Sequence, residues 1–145
     1  MTALILFFGL AQSTTQLPLL ALPEGNSAWV IQVVSTGGLL GNGGGDFAIS
    51  SEGKAVCNLQ LRCPTDFKPS DFQPLVEVIG TRDLHIPATP IVSLCRDCIT
   101  RTMTISHRDS TGVLHTYSVS WDDTTKDKLP PQIIRIYDAV REFVK

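Results

Sequence analysis

The sequence predicts an α+β domain: a four-stranded antiparallel sheet of two hairpins with two helices packed on one face, in the order β-β-α-β-β-α. Three observations predict it. Residues 101–123, RTMTISHRDSTGVLHTYSVSWDD, alternate polar and apolar residues on both sides of a turn. A period of two over that length marks strands with one buried face. Residues 29–35, WVIQVVS, are almost continuously apolar, and a second alternating run, DFAIS at 46–50, follows a glycine-rich stretch. Two further segments, opening near Ser70 and Pro131, space their apolar residues by three and four, as a helix with one buried stripe does.

The chain begins with a short apolar run, TALILFFGLA at 2–11. It is too short to span a bilayer, which takes about 20 residues. Gly9 and Ala11 place small residues at −3 and −1 of a cut before Gln12, the grammar of a signal peptide, although the α-amino group is the one positive charge ahead of the run. The division expected is therefore a signal peptide over 1–11, a tether over 12–28 and one α+β domain over 29–145. This places the protein in a secreted or periplasmic setting with no membrane span.

Trp29–Ser35 reads as a central strand, since apolar residues on both faces suit a strand flanked on both sides. Six of the ten residues Thr36–Gly45 are glycine, and the next strand takes Phe47 and Ile49 inward. Ser51-Glu52-Gly53-Lys54 turns, and Ala55–Leu61 is a candidate extension of the sheet. Ser70 is placed to cap the first helix, with Asp71 favourable to its dipole and Pro74 in its first turn. Phe72, Leu75, Val76 and Ile79 form its apolar stripe, and Gly80 stops it. Asp83–Leu94 carries two prolines and reads as an extended connection. In the hairpin, Met103 and Ile105 face inward with Val113, His115, Tyr117, Val119 and Trp121, while Thr and Ser face outward. Gly112 is available for positive φ in the turn. Pro131 suits the first position of the last helix, whose buried stripe is Ile133, Ile136, Tyr137, Val140 and Val144.

Composition limits the function. Charged residues are 18% of the 145 and the formal net charge is −2. Lys and Arg are scattered, so no basic stripe marks a nucleic-acid binder. Four cysteines, Cys57, Cys63, Cys95 and Cys98, fit two disulfides in an exported chain, and three pairings are open. The Cys95-x-x-Cys98 motif precedes a strand rather than opening a helix, which argues against a dithiol redox site. Cys57 and Cys63 are too far apart for a usual half-zinc cluster. His85, His107 and His115 follow no metalloenzyme spacing. His115 reads as a core or rim residue. Asp122, Asp123 and Asp127 read as Asx-turn residues ahead of the next element. The glycine-rich stretch leads into a strand, whereas nucleotide loops lead into a helix. No catalytic, cofactor or metal residues are therefore assigned. Leu40, Gly41, Asn42, Gly43 and Gly44 are the candidate partner-contact loop, since glycine lets another chain approach.

Three features together carry a resemblance: Thr36-Gly37-Gly38-Leu39-Leu40-Gly41 after the first strand, the paired hairpins, and the closing helix with Leu129-Pro130-Pro131, Ile136-Tyr137 and Val140. Over residues 29–144 the chain resembles the emfourin-like proteins, small inhibitors of thermolysin-type metalloproteases. The resemblance implies a mixed α/β inhibitor that blocks a protease cleft and performs no catalysis. The four cysteines and the export-like start are not part of it. The alternative expectation is a non-inhibitory extracytoplasmic binding or envelope-associated domain, motivated by the Thr/Ser face of the sheet.

Overall fold

The computed structural model describes residues 19–38, 45–58, 61–63, 67–77, 91 and 95–144. Strand β1, Trp29–Gly37, is the middle strand of the sheet. It pairs antiparallel with β2, Phe47–Ser50, on one side and with β4, Ile99–Arg108, on the other. Strand β3, Ala55–Cys57, flanks β2, and β5, Leu114–Asp122, flanks β4. The strand order is β3-β2-β1-β4-β5.

The sheet therefore has five strands where four were expected, and the element order is β-β-β-α-β-β-α. The additional strand is Ala55–Cys57, part of the segment read as an extension through Leu61. Three residues are too few to display an alternation in sequence. It ends at Cys57 because Asn58 turns to Asp46 instead: the Asp46 N–H donates to Asn58 Oδ1 at 2.6 Å and the Asn58 N–H donates to the Asp46 carbonyl at 3.0 Å.

Register aligns the apolar residues in rows across the sheet. Phe47, Val33, Met103 and Val119 form one row, and Ile49, Ile31, Ile105 and Tyr117 the next. All but Tyr117 are buried. Both helices cover this face. Helix α1, Pro69–Glu77, sets Phe72 against Trp29, with ring centroids 6.0 Å apart. Helix α2, Pro131–Phe143, sets Tyr137 edge-on to Trp121 at 5.0 Å. Phe72 and Phe143 join the two helices at 5.5 Å. Ile133, Ile136, Tyr137 and Val140 are buried at the spacing read from the sequence.

Helix α1 starts at Pro69, so Ser70 lies inside it rather than at its cap. Pro74 consequently falls in the second turn, where its missing N–H deprives the Ser70 carbonyl of a helical partner. Ser70 and Pro74 are both exposed. Ile79, Gly80 and His85 are outside the described residues. Of the connection 83–94, Ile91 is described: it forms a parallel bridge with Trp121, its N–H donating to Ser120 at 2.7 Å.

The opposite face is half hydroxyl and half covered. Thr102–Ser120, Thr104–Ser118 and Ser106–Thr116 form a ladder of cross-strand hydroxyl pairs at 2.7, 3.1 and 3.2 Å. Beside it, Val30 and Ala48 are buried. Here the segment expected as a tether over 12–28 joins the fold in its described part. Leu19 N–H donates to Gln32 Oε1 at 3.1 Å, and Gln32 Nε2 donates to the Leu20 carbonyl at 2.9 Å. Among the described residues no helix is long and apolar enough to cross a membrane.

Candidate functional site

The ends of the sheet differ in chemistry. At one end β1 and β3 finish, β2 and β4 begin, and both disulfides lie there. Cys57 pairs with Cys63 and Cys95 with Cys98, each with Cα atoms 5.5 Å apart, inside the usual bridging range. Of the three pairings open from the sequence, the structure adopts the local one. Cys57 closes the end of β3, and Cys98 immediately precedes β4.

This rim fixes both bases of the glycine-rich loop. On the outgoing side, the Gly38 N–H donates to the Cys98 carbonyl at 3.2 Å. Gly37 has φ +86°, and a Cβ there would lie 2.7 Å from the same carbonyl oxygen. Only glycine fits that approach without displacing backbone. Cys98 is restrained in turn by its bond to Cys95. The following Ile99 N–H donates to Asp123 Oδ2 at 3.2 Å, and Asp123 also pairs with Arg101.

On the returning side the anchor is Asp46, which is 7% exposed. Its Oδ1 accepts from the Ser35 N–H at 2.7 Å, and its Oδ2 accepts from Asn58 Nδ2 at 2.7 Å. Ser35 Oγ donates to the Gly45 carbonyl at 3.0 Å. A buried carboxylate is tolerated when its lone pairs are met in this way. The Leu61 side chain, within the loop closed by Cys57–Cys63, packs on Gly45. Leu40, Gly41, Asn42, Gly43 and Gly44, the expected partner-contact residues, lie outside the described residues. What is described is the frame from which they depart.

At the other end, about 26 Å away by the rise of the eight steps of β1, the histidines meet. His107 pairs with His115 in register, and their rings stack at 5.0 Å. His115 is half-buried, as a rim residue should be, and bonds Asp109 Oδ2 at 3.0 Å. Asp109 also accepts from the Thr111 hydroxyl at 2.7 Å and from the N–H groups of Thr111 and Val113 at 2.9 and 3.0 Å. The Thr111 hydroxyl and then His115 hold its carboxyl far below the usual range. In the sequence His107 belongs to no motif. It continues the inward series Met103, Ile105, and that parity is the signal that could have found it. It is buried, and its Nε2 has no hydrogen-bond partner among the described residues. Burial, then the adjacent His115, lower its pKa from the ordinary 6.5, partly offset by Asp109, a backbone hydrogen bond at Arg108 and Glu77.

Asp122 makes the expected Asx turn, Oδ1 accepting from the N–H and hydroxyl of Thr124 at 2.8 and 2.7 Å. Asp123 departs from that reading and serves Arg101 and Ile99 instead. Among the described residues no three His, Cys, Asp or Glu side chains are grouped as a metal site. Compared with known proteins, the chain matches no family model, no curated sequence and no solved structure.

Proposed function

We propose that this chain is an exported, disulfide-bonded protein that binds a protein partner through the rim at Gly37–Gly38 and Gly45–Asp46, and that it inhibits a thermolysin-like metalloprotease without catalysis of its own. The observation that carries this reading is the double anchoring of one loop. The Cys95–Cys98 disulfide with the Cys98 carbonyl restrains one base, and the buried Asp46, beside the segment closed by Cys57–Cys63, restrains the other. Holding a loop before binding removes part of the ordering entropy that association otherwise costs. Local disulfides also suit an oxidising compartment, which supports export. The resemblance to emfourin-like inhibitors supplies the partner class.

The test is titration of the oxidised protein against a thermolysin-like protease while peptide hydrolysis is followed. Slower hydrolysis is expected, and deletion of Leu40–Gly44 should weaken it. Unchanged hydrolysis up to tens of micromolar, where even a modest interface would be seen, would remove this protease class. A second reading is a non-inhibitory extracytoplasmic binding domain, and it draws on the outward hydroxyl ladder of β4 and β5. Capture of a non-protease partner from an envelope fraction, insensitive to the loop deletion, would favour it.

A further inference from the structure

A cleft of about 320 Å3 lies between the tip of the β4–β5 hairpin and the second half of α1, at the end of the sheet away from the rim. Its walls include Ser27, Gln73, Glu77, His107, Asp109 and His115. The volume is at the small end of ligand cavities. His107 is 5% exposed, and its Nε2 is buried without a partner among the described residues. A buried polar atom in that state asks for an explanation, and a ligand that completes the bond is one.

The chemistry of that nitrogen follows from its surroundings. The hydrogen bond between the ring and the Arg108 backbone favours the protonated ring. With Nδ1 donating to that backbone, Nε2 of the neutral ring carries a lone pair. Burial and the stacked His115 favour that neutral ring. His107 lines the cleft, and in this tautomer its Nε2 is an acceptor.

The charged groups around it are unequal. From the turn, Asp109 is already engaged by Thr111, Val113 and His115. From β5, His115 is tied to Asp109 at 3.0 Å. From β4, the Arg108 guanidinium is turned back to the Gly112 carbonyl at 3.4 Å. From α1, exposed Glu77 takes one hydrogen bond from Gln73 at 2.9 Å and keeps capacity for more. An acceptor nitrogen beside a carboxylate with spare lone pairs suits a donor that carries positive charge. We propose that this cleft binds an organic cation of the ammonium or guanidinium class, with His107 Nε2 accepting its hydrogen bond and Glu77 balancing its charge. A free small amine and the Lys or Arg side chain of a bound polypeptide offer the same chemistry.

The experiment is an NMR titration of the full chain with n-butylammonium and methylguanidinium chlorides. Short peptides carrying one Lys or Arg form the second arm, with sodium chloride and n-butanol as controls. Saturable shifts at the His107 ring and the Gln73 and Glu77 amides are expected with the cations and not with the controls. Glu77→Gln, an exposed substitution that leaves the fold intact, should weaken binding about three- to five-fold, the scale of a partly exposed ion pair. Acidification that protonates His107 should abolish binding, because the acceptor becomes a second cation. Tighter binding of peptides than of free amines assigns the cleft to a polypeptide side chain, and the reverse assigns it to a small molecule. Shifts matched by sodium chloride, absent saturation, or Glu77→Gln binding at wild-type strength would overturn the proposal.

Discussion

Gly37→Ala should be among the most damaging single-methyl additions in this protein. Two costs combine. The backbone at Gly37 has φ +86°, which costs an L side chain about 1–2 kcal/mol. The new Cβ would also stand 2.7 Å from the Cys98 carbonyl oxygen. That oxygen cannot yield easily: it accepts the Gly38 N–H, and Cys98 is tied to Cys95. Forcing a methyl into a packed site adds about 1–3 kcal/mol, so the total is about 2–5 kcal/mol. At about 3 °C per kcal/mol for a chain of this length, that corresponds to a melting temperature lower by roughly 6–15 °C. Gly38→Ala is the internal control. Its φ is +81°, but the nearest atom is Ile99 Cγ1 at 3.3 Å, a side chain able to move. It should carry the conformational cost of about 1–2 kcal/mol alone. Both are measured by urea unfolding of oxidised protein, followed by tryptophan fluorescence. Equal losses for the two variants would mean that the Cys98 carbonyl does not press on Gly37, and the clamp at the loop base would be refuted.

Asp46→Ala should cost about 2–3 kcal/mol, because the Ser35 N–H and Asn58 Nδ2 lose their acceptor in a buried site; an unchanged urea midpoint would contradict this. Ile136→Ala removes a fully buried side chain from the stripe of α2 and should cost about 2–5 kcal/mol by the same measurement. Stability should fall with acid. His107 has a lowered pKa, so below 6.5 the unfolded chain binds a proton that the folded chain refuses, and stability drops as pH falls from there toward the folded value. Asp109, also lowered, contributes stability that is present above 3.8 and lost as pH falls through its folded value. Unfolding free energies measured across this range should show both declines, and His107→Phe should flatten the upper one.

Much of the fold was legible because it repeats a local rule. The hairpin of β4 and β5 follows alternation from Met103 to His107 and from His115 to Trp121, whereas Val113, expected inward, is exposed ahead of β5; α2 follows the spacing of Ile133, Ile136, Tyr137 and Val140. Strand β1 was readable as central from its apolar run, since it has neighbours on both sides. What was not legible depends on partners distant in sequence. Ala55–Cys57 becomes a strand only because β2 offers an edge. The covering of Val30 and Ala48 coincides with Leu19 and Leu20, held there by one mid-strand residue, Gln32. The site shows the same division. The glycine-rich stretch stands out in sequence, but nothing local separates Gly37 from the other glycines; the Cys98 carbonyl does. Asp46 looked like the first residue of a strand, and its burial follows from Asn58 and Ser35 closing around it. His107 was within reach by parity, whereas its unpartnered Nε2 required the cleft to be seen.

Hydrogen exchange of the chain alone and with saturating thermolysin-like protease tests the account at its centre. Slower exchange at residues 35–38, 45–46 and 98–99, with the hairpin tip at 108–113 unaltered, is the predicted footprint. Protection confined to that tip, or a rim exchanging at the same rate with and without protease, would contradict it.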